Sequence, residues 1–298
     1  IKLIAGDYQP TFANLNNLDY YIYSYAEGVV DDLMNHIRGL PNNLKTEPMN
    51  EGRSLFVDCL KDYRLNDWGN PVINYAKSDF IWPEEALTIE LSRGCVFQCK
   101  FCSFPITNKK GIDHIRTEES LYRELQANYD LYGTTSYVIS DETVNDSIVK
   151  LEALRNAVKR LNFKPDFSGF FRVDLIYTYP QSIQLLKECN VVGMHFGIET
   201  FHHKSGIAIG KGLAPEKVKA TLVRLREEMG PNVNMMGSFI VGLPYEPLES
   251  LYETLAWLEK PDCPLTSWLW FGLDIPNSKA KLQTSYFSNN FEKFGYES

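Results

Sequence analysis

The chain has 298 residues, 44% of them hydrophobic, enough to bury a substantial core as one large domain or as one domain with part of another. Its 38 acidic against 30 basic residues leave a formal net charge of -8 and no basic stripe to follow a phosphate backbone, which speaks against a nucleic-acid partner. No apolar run is long enough to span a bilayer and no basic-then-apolar leader opens the chain, so neither a membrane span nor a signal peptide is read. Three of the six cysteines are clustered and three are scattered at Cys59, Cys189 and Cys263, which favours a reducing compartment, the cytoplasm, over a disulfide framework. The first residue is Ile1 rather than Met, as expected of a fragment or a processed form.

Ile1 to Gly6 reads as a strand with a glycine exit, and Glu27 to Ile37 as an amphipathic helix carrying Val29, Val30, Leu33 and Ile37. One strand and one helix bury no core of their own. Residues 39–84 are rich in Asn, Asp, Pro and aromatics with weak periodicity, the pattern of an irregular connecting segment that packs over the larger βα region. From Leu87 onward short apolar runs alternate with helical patterns, the signature of repeated βα units and a parallel sheet. Six strands are predicted: Leu87 to Leu91, Ser136 to Ser140, Asp166 to Phe171, Val191 to Ile198, Asn234 to Val241 and Thr266 to Phe271. Between them, helical spacing links Leu121, Leu125 and Tyr129; Ile148, Leu151, Leu154, Val158 and Leu161; Val218, Leu222, Leu225 and Met229; and Leu248, Leu251, Leu255 and Leu258. Pro180, Pro215 and Pro247 sit where first turns are expected. The fold class is therefore α/β, a partial (β/α)6 barrel, an incomplete TIM-like barrel open on one side. The expected divisions are 1–40, a linker over 41–84, the barrel over 85–275, and a tail over 276–298 that could cover the open end.

The most informative feature is Cys95-x3-Cys99-x2-Cys102, directly after the first of these strands, at the end of a βα barrel where function gathers. Three thiolates can hold three irons of a [4Fe-4S] cluster and leave the fourth open to a small molecule. A structural zinc site or an electron-transfer cluster is the competing reading, and both want a fourth ligand. His114 and Cys189 make no recognisable second pair with the triplet.

With an aromatic before its last cysteine, Cys95-x3-Cys99-x-Phe101-Cys102 resembles the signature of the radical S-adenosylmethionine superfamily, whose partial (β/α)6 barrel has the same number of units. The resemblance spans about residues 85 to 275. It implies a [4Fe-4S] cluster on Cys95, Cys99 and Cys102 and S-adenosylmethionine chelating the open iron. One electron then cleaves the sulfonium to methionine and a 5′-deoxyadenosyl radical that abstracts hydrogen from substrate. It further implies that Phe101 lies against the adenine end of the cofactor. Ser140-Asp141-Glu142-Thr143 stands where the family receives the methionine amino group, without the usual Gly-Gly; for Asp141 and Glu142 a helix N-cap region is the plain alternative. Arg172 could pair with the cofactor carboxylate, with a surface pair to Asp174 as the bland alternative and no role given to Asp174. Glu199, closing Gly197-Ile198-Glu199, could accept from the ribose hydroxyls or the amino group, and Ile240 to Pro244, with Gly242, resembles the adenine-binding edge. His195 reads as a satisfied core histidine ahead of a lumenal one, and His202 and His203 are weaker candidates.

Ile1 to Gly6, Asp19 to Gly28 and the helix after them resemble the trailing strand, loop and helix of the cobalamin-binding Rossmann-like domain that precedes many radical enzymes, with Ala26-Glu27-Gly28 in place of the usual Gly-Glu-Gly. Such a remnant should not hold a corrinoid alone, so cobalamin is expected only in a fuller-length protein, and a short extension packing on the barrel is the equal alternative for residues 1–40. The resemblance implies a small-molecule or peptide substrate and a reductase, flavodoxin or ferredoxin as electron donor. Methyl transfer is the leading subclass. The alternative is a non-catalytic iron–sulfur or zinc-binding scaffold.

Overall fold

The computed structural model describes residues 2–7, 17–23, 26–49, 51–59, 72–79, 81–82, 84–102, 112–273, 275 and 285–297. The chain divides into two compact units, one made of residues 1–68, 101–108 and 275–298, the other of 69–100 and 109–274.

In the first unit β1 (Ile4–Asp7), β2 (Tyr20–Tyr23), β3 (Glu47–Met49) and β4 (Ser54–Asp58) form a sheet in the order β1-β2-β4-β3. Pairs β1·β2 and β2·β4 are parallel, and β3 runs antiparallel to β4. Helix α1 (Val30–Ile37) follows β2, with Asp31 and Asp32 in its first turn, where carboxylates favour the positive end of the helix dipole. Tyr20, Ile22, Val29, Leu33, Val57 and Cys59 make a core of their own. Two expectations are corrected here. The unit holds more than one strand and one helix, and the stretch expected to be irregular contains β3 and β4. Both strands are too short, and β3 too interrupted by Pro48, to show a period of two. The tail contributes a short helix, Tyr286–Asn290, and a 3-10 turn, Phe291–Phe294; residues 276–284 of the expected cover lie outside the described residues.

The second unit starts with β5 (Leu87–Ile89), then a two-stranded ribbon of β6 (Ser92–Gly94) and β7 (Ile112–Ile115), which the sequence pattern does not reveal. It continues through α2 (Glu118–Tyr132), β8 (Ser136–Ile139), α3 (Ile148–Arg160), β9 (Asp166–Phe171), α4 (Val173–Thr178), α5 (Ser182–Glu188), β10 (Val191–Glu199), α6 (His203–Ile209), α7 (Pro215–Met229), β11 (Asn234–Val241), α8 (Leu248–Leu258) and β12 (Ser267–Gly272). Six strands pair in the order β12-β11-β10-β9-β8-β5, every pair parallel. Sequential order is what right-handed βα crossovers produce, and β5 and β12 are left as the two edges.

Local chemistry fixes the helix ends. Thr117 Oγ1 accepts from Ser120 N to cap α2, which stops at Gly133 with φ +72°. Ser147 caps α3 in the same way and Pro215 occupies the first turn of α7. One sheet face, with Tyr137, Ile139, Phe167, Phe171, Met194, Phe196, Met235 and Phe239, packs with Leu121, Leu125, Leu151, Leu154, Leu222, Leu225 and Leu258 of the helices into one core. The alternating residues Val138, Ser168, Phe170, Gly193, His195 and Met236 fall on the other, inner face. Part of the segment ahead of β5 does pack on this core, through Tyr75 and Ile81.

Candidate active site

The loop after β6 carries Cys95 and Cys99 at the end of the sheet reached by the strand C-termini. Cys99 is buried and Cys95 half-buried. Burial pushes the Cys95 thiol up, against the opposing effects of the Phe97 amide and the Thr143 hydroxyl, whose Oγ1 lies 3.9 Å from Sγ. The loop is pinned to the turn after α6: Lys100 N donates to Ile209 O at 3.1 Å, and the turn passes beside Gln98 and Cys99 at Gly210, whose φ of +88° is one that side-chain-bearing residues rarely adopt. Phe101 and Cys102, both half-buried, group with the first unit.

Arg172, ending β9, is the best-anchored charge near the loop. Its Nη1 donates to Cys99 Sγ at 3.2 Å, and Nε and Nη2 donate to Asp174 Oδ1 and Oδ2 at 3.0 and 2.6 Å. The guanidinium lies over the Phe97 ring, 3.6 Å from its centroid. Asn145 holds the backbone on both sides, donating to Arg172 O at 2.9 Å and accepting from Arg172 N at 3.0 Å. The side edge of the guanidinium fork, expected to meet a cofactor carboxylate, is thus taken by Asp174, and the pair is buried on the arginine side rather than a surface pair.

After β8, Ser140 N donates to Ile89 O and Glu142 is exposed. Asp141 points away from solvent: Oδ1 accepts from Leu91 N and Oδ2 from Ser92 Oγ, both at 2.7 Å, and Lys150 Nζ donates to Oδ2 at 2.9 Å. Its carboxylate ties the β5–β6 connection to the β8 exit, and capture of Leu91 N explains why β5 stops at Ile89 instead of running on to Leu91. Neither Asp141 nor Glu142 caps the next helix; Ser147 does.

At the end of β10 the ladder to β11 shifts between Gly197 and Glu199, and Glu199 takes φ +69°, a conformation strained for a glutamate. The bulge folds the carboxylate back over Gly197, where a Cβ would come within 2.6 Å of Glu199 Oε1. Lys211 Nζ meets that oxygen at 3.1 Å and also donates to Gly197 O. A hollow of about 30 Å³ here is lined by Val173, Asp174, Gly197, Ile198, Thr200 and Lys211. Along the neighbouring exit Ile240 is buried and Gly242 takes φ +88°. Farther down the inner face a cavity of about 210 Å³ is lined by Val138, Ser168, Phe170, His195, Asn234 and Met236 among others. His195 bonds Ser238 Oγ and sits 4.8 Å from the Phe170 ring, and burial lowers its pKa. It faces the lumen, the reading placed second from sequence.

The sequence profile of the Radical SAM superfamily matches residues 89–258, more than half of the chain. The chain belongs to this superfamily. Its curated relatives include an uncharacterized methyltransferase from Pyrococcus horikoshii, 25% identical over 67% of this chain and 41% of the relative, and the ribosomal protein uS12 methylthiotransferase RimO from Bdellovibrio bacteriovorus, 24% identical over 58% of this chain and 40% of the relative. The chain thus spans about two fifths of the length of the curated relatives it matches. Among solved structures, the cobalamin-dependent radical enzyme OxsB superposes with a TM-score of 0.62 at 17% identity, over 98% of this chain and 43% of that one. The radical methyltransferase TsrM from Kitasatospora setae superposes at 0.59 and 14%, over 84% and 50%. At such identities the likeness is one of fold.

Superfamily members use a [4Fe-4S] cluster and S-adenosylmethionine. Here the test of fit is the donor set: two cysteines of the triplet stand on one pinned loop, and a buried arginine aims an N–H at one sulfur, as an anionic metal-bound sulfur requires. Among the described residues no three His, Cys, Asp or Glu side chains close on a point where a single ion could sit; a cubane takes its thiolates on separate irons. Among the described residues no helix is long and apolar enough to cross a membrane. Lys211 and Asn145 hold Glu199 and Arg172 in place, and sequence reasoning did not single them out. The only local trace of Lys211 is its Gly210-Lys211-Gly212 setting, and Asn145 carries no spacing signal.

Proposed function

We propose that this chain is the catalytic part of a radical S-adenosylmethionine enzyme, with Cys95, Cys99 and Cys102 as the cluster ligands. The observation that carries the reading is the buried Cys99 held by Arg172 on a loop at the C-terminal end of a six-stranded parallel sheet. When bound, cluster and cofactor supply a one-electron cleavage of the sulfonium that yields a hydrogen-abstracting 5′-deoxyadenosyl group. The chain supplies position and exclusion of water. Glu199 and Lys211 present opposite charges at the β10 exit, a match for the zwitterionic methionine end; Ser140 and Glu142 line the β8 exit; Ile240 and Gly242 offer backbone to the adenine, with Phe101 against its face. Asp141 acts one step back, by holding the strand exits together. A small-molecule or peptide substrate would enter the inner-face cavity, where Ser168, His195 and Asn234 are the polar side chains among apolar walls. A one-electron donor is required.

Methyl transfer is the subclass favoured, because one curated relative is named a methyltransferase, another a methylthiotransferase, and TsrM is a radical methyltransferase. The cobalamin bound in the OxsB and TsrM structures supports reading the parallel strands of the first unit as part of a cobalamin-domain sheet, with cobalamin held only by a fuller-length protein. The test is anaerobic reconstitution with iron and sulfide, then dithionite and S-adenosylmethionine. 5′-Deoxyadenosine is the expected product. A chain that holds about four irons and yields none sinks the catalytic reading.

A further inference from the structure

The contacts of Arg172 exceed what the start of a two-turn helix needs. Three separate groups orient one buried guanidinium: Asp174 through two hydrogen bonds at 3.0 and 2.6 Å, the Phe97 ring at 3.6 Å, and the Asn145 side chain through the Arg172 backbone. The nitrogen left over from the Asp174 pair, Nη1, points at Cys99 Sγ at 3.2 Å. A surface arginine would lose this alignment to side-chain entropy and water; here the side chain is only 9% exposed.

We infer that Arg172 is a positioning residue that sets the reduction potential of the cluster through its N–H···S bond to Cys99, with Asp174 and Phe97 fixing its aim. The inference rests on the proposed function and deepens it. One electron from an external one-electron reductant takes the cluster core from 2+ to 1+, and with three thiolates this adds a negative charge to an already anionic group. A fixed positive charge and a donor on one sulfur favour the more negative state, so they raise the potential. Asp174 offsets part of the charge, while the directed N–H persists, so geometry carries the effect as much as charge.

The experiment is an EPR-monitored redox titration of anaerobically reconstituted wild type, Arg172→Gln and Arg172→Lys, each checked for iron, sulfide and circular dichroism. Arg172→Gln is expected to lower the midpoint by about a tenfold drop in the reduced-to-oxidised ratio at fixed potential, about 59 mV for one electron. Arg172→Lys, which keeps the charge but loses the planar fork, is expected to fall between, and it carries the test if Arg172→Gln does not fold. Midpoints equal to wild type at equal iron content overturn the tuning role, as does loss of the cluster from folded variants, which would make Arg172 an assembly residue. If wild type itself assembles no [4Fe-4S] cluster, the proposed function fails, and the inference with it. Cluster assembly with unmoved potentials fails the inference alone.

Discussion

Glu199 combines three costs that packing alone does not require: a positive φ, burial of a carboxylate, and a glycine two residues earlier that must stay bare. Strain of this kind is of order 1–3 kcal/mol per residue and persists where surrounding structure holds it for a purpose. Glu199→Gln should therefore weaken S-adenosylmethionine binding several-fold, by isothermal titration, while iron content stays at the wild-type level. Unchanged affinity would remove Glu199 from the site. Cys99→Ala should abolish the visible thiolate-to-iron absorption and most of the bound iron, because three-point attachment is lost; an unchanged iron count would contradict the assigned ligands. Glu246 gives a pH-dependent expectation. Burial raises its carboxyl pKa although Thr200 donates to it. Ionisation is thus harder in the folded than in the unfolded state, so the stability associated with this group is present at low pH and is lost as pH rises from the unfolded toward the folded value. Glu246→Gln should raise the melting temperature at about pH 7, and the difference should close below about pH 3, where both states are protonated.

At the scale of elements, the strand exits are joined by a buried ionic cluster. Lys150 Nζ reaches Asp141 at 2.9 Å, Asp146 at 2.6 Å, Thr143 O at 2.7 Å and Ser92 Oγ at 2.9 Å, so α3, the β8 exit and β6 share one cation. Removing one partner of such a cluster leaves uncompensated charge in a dry interior. Lys150→Met should cost about 3–5 kcal/mol in urea unfolding, well above the value for an exposed lysine. Restoring neutrality at both aspartates should recover much of that loss. The helix pattern around Lys150 was legible, since Leu151, Leu154 and Val158 recur at helical spacing, yet the lysine between them reads as a solvated residue until the neighbouring strand exits are brought alongside. The same holds for Asp141, whose acidic type and place suggested a cofactor edge, and whose side chain instead joins this cluster.

For the molecule as a whole, the buried apolar residues fall into two clusters, one in each unit. Leu154→Ala in the larger core should cost about 2–5 kcal/mol. Val57→Ala in the smaller core should also lower stability in urea unfolding.

The sequence alone determined what depends on local spacing. Six apolar strand runs, the helices between them, and the Cys95, Cys99 and Cys102 triplet are all periodicities or fixed intervals, and side-chain alternation and ligand spacing are written in neighbouring residues. The tertiary structure decided what depends on direction. It showed which face of β10 His195 takes, that a bulge turns Glu199 inward onto Lys211, and that the fork of Arg172 is aimed at Cys99 by Asp174. Residues 73 and 12 positions apart in the chain meet in these contacts. The physical reason is that a hydrogen bond is fixed by the angle and distance between two groups, and only the packed sheet brings such distant segments to bonding range.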